Sequence, residues 1–264
     1  MISVRDVRKT FGDNTVLNGL DLEIPRGETL IIMGRSGCGK SVLLKVIAGL
    51  LAVDTGEVWI DGTEITTLKK KPLNQIRRKI GMLFQSAALF DSMSVAENIA
   101  FMLDQHTDLS EQDMRKIVEE KLKLVDLDGV QDLRPAQLSG GMRKRVGLAR
   151  ALAFNPEIIL YDEPTTGLDP VTCTEINELI RDLNQQLKVT SIVVTHDMHS
   201  AFSVGTLMVM LHEGKQIAYG TPEEIINEDH PILQQFVLFG APNQILNIDD
   251  PTLKEFTGRN DNGF

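Results

Sequence analysis

The run Gly34-Arg35-Ser36-Gly37-Cys38-Gly39-Lys40-Ser41 fits the spacing G-x-x-x-x-G-K-[ST] at every required position. Glycines let a backbone wrap an oligophosphate with its N–H groups pointing inward, and a helix that follows the loop adds the positive end of its dipole. In such a loop Lys40 reaches the terminal phosphates of a nucleotide, and Ser41 offers its hydroxyl to a magnesium ion that bridges them. Val42 extends the nucleotide-contacting stretch by one residue. A chance match in a chain of this length is expected roughly once in a hundred sequences, so the pattern carries weight. Asp162 and Glu163 close the apolar run Ile158-Ile159-Leu160-Tyr161. Two carboxylates therefore sit at the end of a buried strand, where open α/β sheets bind ligands. Asp162 suits a magnesium ion held through its water shell, which leaves Glu163 for another task. Leu138-Ser139-Gly140-Gly141-Met142 precedes a basic amphipathic segment, so Ser139 and the amides of Gly140 and Gly141 form a second anion site at a helix start.

The surrounding sequence supplies the elements that such residues need. Thr29–Met33 is an apolar run of the parallel-strand type, and Val42–Leu50 switches to helical spacing. Residues 1 to about 85 read mainly as short strands, among them Val16–Ile24 and Glu57–Gly62, interrupted by the phosphate-loop helix. Between about 88 and 155 the pattern is helical, over Val95–Leu103, Ser110–Val125 and Gly141–Phe154, with Ser110 and Asp113 placed as an N-terminal cap. From 156 to 212 alternation returns, with a strand at Ile158–Glu163, an amphipathic helix at Glu175–Lys188 and a strand at Ser191–Thr195. In that helix Ile176, Leu179, Ile180, Leu183 and Leu187 recur at core spacing. Thr221-Pro222-Glu223-Glu224 opens another helix with a hydroxyl cap and a first-turn proline.

The chain has 264 residues, 42% of them hydrophobic, enough for one sizeable core and an inserted lobe. No apolar run reaches the length of a membrane span, and Met1–Asp6 lacks the hydrophobic segment of a secretion signal, so a soluble, intracellular chain is expected. Two cysteines, Cys38 and Cys173, are too few for a disulfide or zinc framework and agree with a reducing compartment. Alkylation of Cys38 would obstruct the phosphate loop. A formal net charge of -10 argues against a nucleic-acid partner. The basic clusters Lys69–Lys71, Arg77–Lys79 and Arg143–Arg145 read as solvated faces.

Taken in order, these motifs resemble those of the ATP-binding-cassette (ABC) ATPases. Phe11 resembles the aromatic that stacks on adenine, Gln85 the switch glutamine, Leu138–Met142 the family signature, and Ile158–Glu163 the metal strand with its catalytic glutamate. Gly167-Leu168-Asp169-Pro170 resembles the dimer-contact loop, and His196 the switch histidine. The resemblance runs from about Val4 to about Pro222. It departs from the common pattern at Met142, where glutamine is frequent, and at Phe11, where tyrosine is; neither change removes a phosphate ligand. Phe11 reads alternatively as a core phenylalanine beside Val7, Gln85 as a strand-end hydrogen-bonding group, and His196 as a satisfied strand-end histidine.

The resemblance implies an α/β, P-loop NTPase fold of the ABC-ATPase type, with a RecA-like core, an antiparallel β subdomain and an inserted α-helical subdomain at about 88–155. The ATPase domain would span 1–240, followed by a tail at 241–264. It further implies ATP and Mg2+ as cofactors and a head-to-tail pair of copies. Each ATP would lie between one phosphate loop and Ser139, Gly140 and Gly141 of the second copy, with Asp169 at the shared interface. Glu163 would polarise the attacking water while His196 and Gln85 align it, Lys40 would stabilise the transferring phosphate, and Ser41, Gln85 and Asp162 would surround the metal.

Within that family, Phe84–Ser92, the signature and Tyr161–Thr172 are similar to the cassettes of bacterial Mla and other MCE-type phospholipid transport systems. That likeness implies an ATPase energising phospholipid transport linked to outer-membrane lipid asymmetry. Its partners would be an integral membrane permease, an MCE-domain lipid-binding protein and a STAS-domain subunit, at the cytoplasmic face of the bacterial inner membrane. Ser86–Ser94, with Leu89, Phe90 and Met93, reads equally as a docking surface for the permease or as part of the helical lobe's core. The tail, with Ile245, Leu246, Ile248, Leu253 and Phe256, reads as a strap across a neighbouring subunit, as packing on its own domain, or as disordered. Alternative readings are a cassette for an amino-acid or metal importer, and a soluble cassette acting on nucleic acid or ribosomes. A phosphate-loop kinase or GTPase would leave the signature and His196 without a role.

Overall fold

Strands with long apolar runs and strands that alternate sort into two different sheets. The structure, a computed structural model, describes residues 2–240; the expected contacts of the tail lie outside the described residues. In chain order the strands are β1 (Ile2–Phe11), β2 (Asn14–Ile24), β3 (Thr29–Met33), β4 (Thr55–Ile60), β5 (Thr63–Glu64), β6 (Ile80–Leu83), β7 (Ile158–Asp162), β8 (Thr190–Val194), β9 (Leu207–His212) and β10 (Lys215–Gly220). The helices are α1 (Lys40–Ile47), α2 (Lys70–Arg77), α3 (Val95–His106), α4 (Glu111–Leu124), α5 (Gly140–Ala151), α6 (Pro170–Leu187), α7 (Met198–Val204), α8 (Pro222–Asn227) and α9 (Pro231–Gly240).

β3, β7 and β8 are buried at every residue, as strands covered on both faces must be. They lie at the centre of a sheet ordered β10-β9-β3-β8-β7-β6, parallel except for the β10 edge. The second sheet, β2-β1-β4-β5, is antiparallel. Side chains of the parallel strands alternate between two cores. Leu30, Ile32, Leu160 and Ile192 face α1 and the antiparallel sheet, while Ile31, Met33, Tyr161 and Val193 face the side that carries α3 to α7. Each fully buried Leu or Ile there contributes about 1.5–3 kcal/mol.

Three α-helices, α3, α4 and α5, lie in sequence between β6 and β7, which are hydrogen-bonded neighbours. Ser94 and Glu97 close a capping box on α3, Ser110 caps α4, and Thr221 with Glu224 caps α8. Several boundaries differ from the sequence expectation. The helix expected at Glu175 begins at Pro170, because Asp169 caps it and Pro170 occupies its first turn. Leu187, expected in the core, is 39% exposed at that helix's end. The first 85 residues also hold α2, which has no fully buried residue and packs on the core only through half-buried Leu73 and Ile76, too short an apolar face to read.

A candidate nucleotide site on the carboxyl edge of the parallel sheet

Four neighbouring parallel strands deliver the site residues to one edge. β3 runs into the glycine loop, β6 into Gln85, β7 into Asp162 and Glu163, and β8 through Thr195 to His196. That edge is where open parallel sheets bind ligands. The loop can turn there only because of its glycines. Gly34 has φ 146° and Gly39 φ 104°, and a Cβ would stand 2.4 Å from the Leu211 carbonyl oxygen at the first and 2.8 Å from that of Val16 at the second. Gly39 is the residue before α1, so the helix start faces the loop.

Lys40 is buried, and its ammonium donates to the carbonyls of Gly34 (2.8 Å) and Arg35 (3.0 Å). The Ser41 hydroxyl donates to Asp162 Oδ1 at 2.8 Å, which joins the start of α1 to the end of β7. Glu163 follows in the left-handed region at φ 49°. Its carboxylate accepts from the Thr166 hydroxyl (2.8 Å) and Gln85 Nε2 (3.1 Å), and His196 Nδ1 lies 3.3 Å from its other oxygen. Ser41 with Asp162, and Gln85 and His196 with Glu163, thus form two polar groups on adjacent strand ends, while Lys40 is held by its own loop carbonyls. A carboxylate held by three neighbours beside a phosphate-binding loop is suited to receive a proton from a water attacking that phosphate.

Ser139, Gly140, Gly141 and Asp169 lie apart: among the described residues none forms a hydrogen bond or ion pair with Gly34–Ser41. Ser139 caps α5, its hydroxyl accepting from the Met142 amide. Asp169 caps α6, and hydrogen bonds from the Thr172 hydroxyl and amide hold its carboxyl below the usual range. Phe11 is 47% exposed at the end of β1, with Lys9 Nζ 5.4 Å from its ring centre. It is not a core residue, unlike Val7, which is fully buried. Cys38 sits in the loop as a free thiol; burial pushes its pKa up, against the opposing pull of Lys40.

Sequence reading missed three residues. Thr166 orients Glu163. Lys144 is buried and donates to the carbonyls of Gln85 and Glu163, the latter at 3.2 Å. Burial draws its ammonium pKa down, opposed by Glu163 and Asp162. Arg150 donates to the carbonyls of Ala87 and Ala88, both at 2.7 Å. The cluster Arg143–Arg145 is accordingly a solvated face only at Arg143, which is exposed and donates to the Leu138 carbonyl, while half-buried Arg145 binds the Val125 carbonyl and Asp126. Lysine and arginine in a charged run give no sequence signal of burial.

A separate groove of about 640 Å3 opens between α2, β6, α3 and α5, lined by Phe84, Phe90, Met102, Phe154, Arg78 and Arg150. The segment 86–94 divides there, with Phe90 42% exposed in the groove and Leu89 packed on the core.

Comparison with known proteins defines the class. The family model described as "ABC transporter" matches residues 17–166. A Mycobacterium leprae protein named "Probable ribonucleotide transport ATP-binding protein mkl" is 44% identical over 236 residues, covering 89% of this chain and 68% of its own. A Haemophilus influenzae protein named "Intermembrane phospholipid transport system ATP-binding protein MlaF" is 41% identical over 237 residues, 90% of both chains. Among solved structures, the dimeric post-hydrolysis state of the ATP-binding cassette MJ0796 bound to ADP and Pi superposes with a TM-score of 0.77 at 36% identity, covering 84% of this chain and 98% of that one. This chain belongs to the ABC transporter family. It has the fold and the nucleotide-binding edge of an ATP-binding-cassette ATPase. No helix among the described residues is long and apolar enough to cross a membrane.

Proposed function

We propose that this chain is the ATP-hydrolysing subunit of a phospholipid transporter, acting as a head-to-tail pair beneath an integral membrane permease. The observation that carries the catalytic part is the convergence on Glu163 of Gln85, Thr166 and His196 beside the Ser41–Asp162 pair. In this reading Lys40 exchanges its loop carbonyls for the terminal phosphates, and Glu163 takes the proton of the attacking water. Gln85 and His196 place that water. The oxygens of Ser41, Asp162 and Gln85 suit Mg2+, a hard cation that draws its other ligands from phosphate and water and offsets charge on the transferring group. Phe11 offers an open ring face to adenine.

Ser139, Gly140 and Gly141 present a capped helix start with no phosphate loop of their own to face. A second copy, related head to tail, supplies one, with Asp169 at the shared surface. The dimeric state of the MJ0796 cassette supports that arrangement. The groove at Phe90 offers an apolar floor and an arginine rim to an amphipathic helix of the permease. Two relatives named for intermembrane phospholipid transport, from Haemophilus influenzae and Escherichia coli, match this chain along most of their own length, 90% and 88%. That favours a lipid cargo, with an MCE-domain lipid-binding protein and a STAS-domain subunit as further partners at the cytoplasmic face of the inner membrane.

Two measurements test the reading. Glu163→Gln lowers the hydrolysis rate by about 10²–10⁴-fold while ATP binding persists; brisk turnover by that variant removes Glu163 from its role. Mild-detergent purification of the tagged chain recovers a permease with bound phospholipid. Recovery with a ribonucleotide or amino-acid carrier would assign a different cargo.

A further inference from the structure

We propose that Lys144 is a positioning residue that ties the signature at the start of α5 to the catalytic edge of the same chain. Through it, ATP held against the signature in one composite site sets Glu163 in the other. The inference rests on the composite-site reading above and adds a route by which the two sites act together.

The route is short and stiff. Lys144 lies five residues beyond Ser139 on α5, about 7 Å along the axis at 1.5 Å per residue. It is 5% exposed and makes no ion pair among the described residues. Instead its ammonium donates to two main-chain oxygens, those of Gln85 and Glu163. A buried lysine in ion-pair contact with no carboxylate is costly even with Glu163 and Asp162 near enough to offset part of the burial, and a methionine would fill the same space. What the ammonium adds is a bond to each of the loops that leave β6 and β7. Both loops hold left-handed residues, Glu163 at φ 49°, Ala87 at φ 60° and Ala88 at φ 47°, shapes that persist only when their surroundings hold them. Arg150, further along the same helix, fixes the carbonyls of Ala87 and Ala88. Between the two grips the helix packs closely on the same loop, since a Cβ on Gly147 would stand 3.1 Å from Ala87 Cβ and 3.4 Å from its Cα. At its start, a Cβ on Gly141 would stand 2.6 Å from the Thr172 methyl, beside the Asp169 loop.

The geometry spans two different nucleotides. The signature of one chain faces the ATP on the partner's phosphate loop, while Glu163 of that chain serves the ATP on its own. A displacement of α5 by ATP at its start is therefore felt at Glu163 and Gln85 through one side chain. Couplings between such sites commonly amount to about 5–150-fold in affinity.

The test is the ATP dependence of hydrolysis by the full-length chain, with equilibrium ATP binding measured beside it. The unaltered chain gives a sigmoidal curve with a Hill coefficient above 1 and up to about 2, the limit for two coupled sites. Lys144→Met keeps the stem and removes the donors; it should give a hyperbolic curve and at least about a tenfold loss of kcat. Its ATP Kd should stay within about twofold, because no phosphate ligand is touched. Lys144→Arg, which keeps a buried donor, restores the sigmoidal curve. Should the methionine variant fail to fold, Lys144→Gln is read on the same axes and shows the same loss of cooperativity in weaker form. Unchanged cooperativity and kcat in Lys144→Met, or a loss of kcat matched by a loss of ATP binding, overturns the coupling role. A hyperbolic curve from the unaltered chain likewise overturns the coupling, whereas a chain that binds ATP and never pairs overturns the composite-site reading itself, which separates the two failures.

Discussion

Glu163 is the residue on which the chemistry turns, and it sits in a conformation that L-residues adopt at a cost on the order of 1–2 kcal/mol. Its amide donates to the Val194 carbonyl at 2.9 Å, and its carboxylate is held by Thr166 and Gln85. Thr166→Val removes one of those donors without changing shape greatly. We expect kcat to fall about tenfold and ATP affinity to hold, by steady-state assay and equilibrium binding; a change confined to affinity would place Thr166 in nucleotide binding instead. Cys38 gives a second test at this scale. Burial raises its thiol pKa, so less thiolate is present at each pH than on a free cysteine. Iodoacetamide should therefore modify it slowly at pH 7, faster only as pH rises past the ordinary thiol range, and more slowly still with ATP bound. Peptide mass mapping checks all three. Lys40, Ser41, Asp162 and Glu163 were legible in the sequence because phosphate chemistry fixes their spacing. Lys144 was not, since its burial depends on α5 packing against β6 and reaching the loops that follow β6 and β7, which no local pattern records.

At the scale of elements, the segment after β6 is where shape is stored. Ala87 and Ala88 are consecutive left-handed alanines held by Arg150. Glycine at the exposed position 88 would relieve about 1–2 kcal/mol of steric cost, against about 0.5–1 kcal/mol of added unfolded-state freedom. Ala88→Gly should thus raise the urea midpoint slightly, and Ala88→Val should lower it. A lower midpoint for the glycine variant would mean that the alanine conformation is not strained. The strands were readable because β3, β7 and β8 each carry a continuous apolar run, and two of the helix starts because Ser110 and Thr221 cap them. α2 was not, because it packs on the core through only Leu73 and Ile76, both half-buried, and α6 was read more than a turn too late because its first turn carries Pro170 and polar residues instead of an apolar stripe.

At the scale of the molecule, the site described by one chain is half of what its motifs call for. The phosphate loop and Glu163 share an edge, while the signature and Asp169 open helices elsewhere with no hydrogen bond or ion pair to the loop among the described residues. Motif order made that division legible, but the way two copies meet is a property of surfaces and not of spacing. The composite site is tested most directly by the mass of the Glu163→Gln chain in solution with and without ATP. With ATP the mass should double from the 29.3 kDa of one chain, and the doubling should vanish when Ser139→Arg or Lys40→Ala is added. A chain that binds ATP and stays monomeric, or pairs regardless of ATP and Ser139, would contradict it.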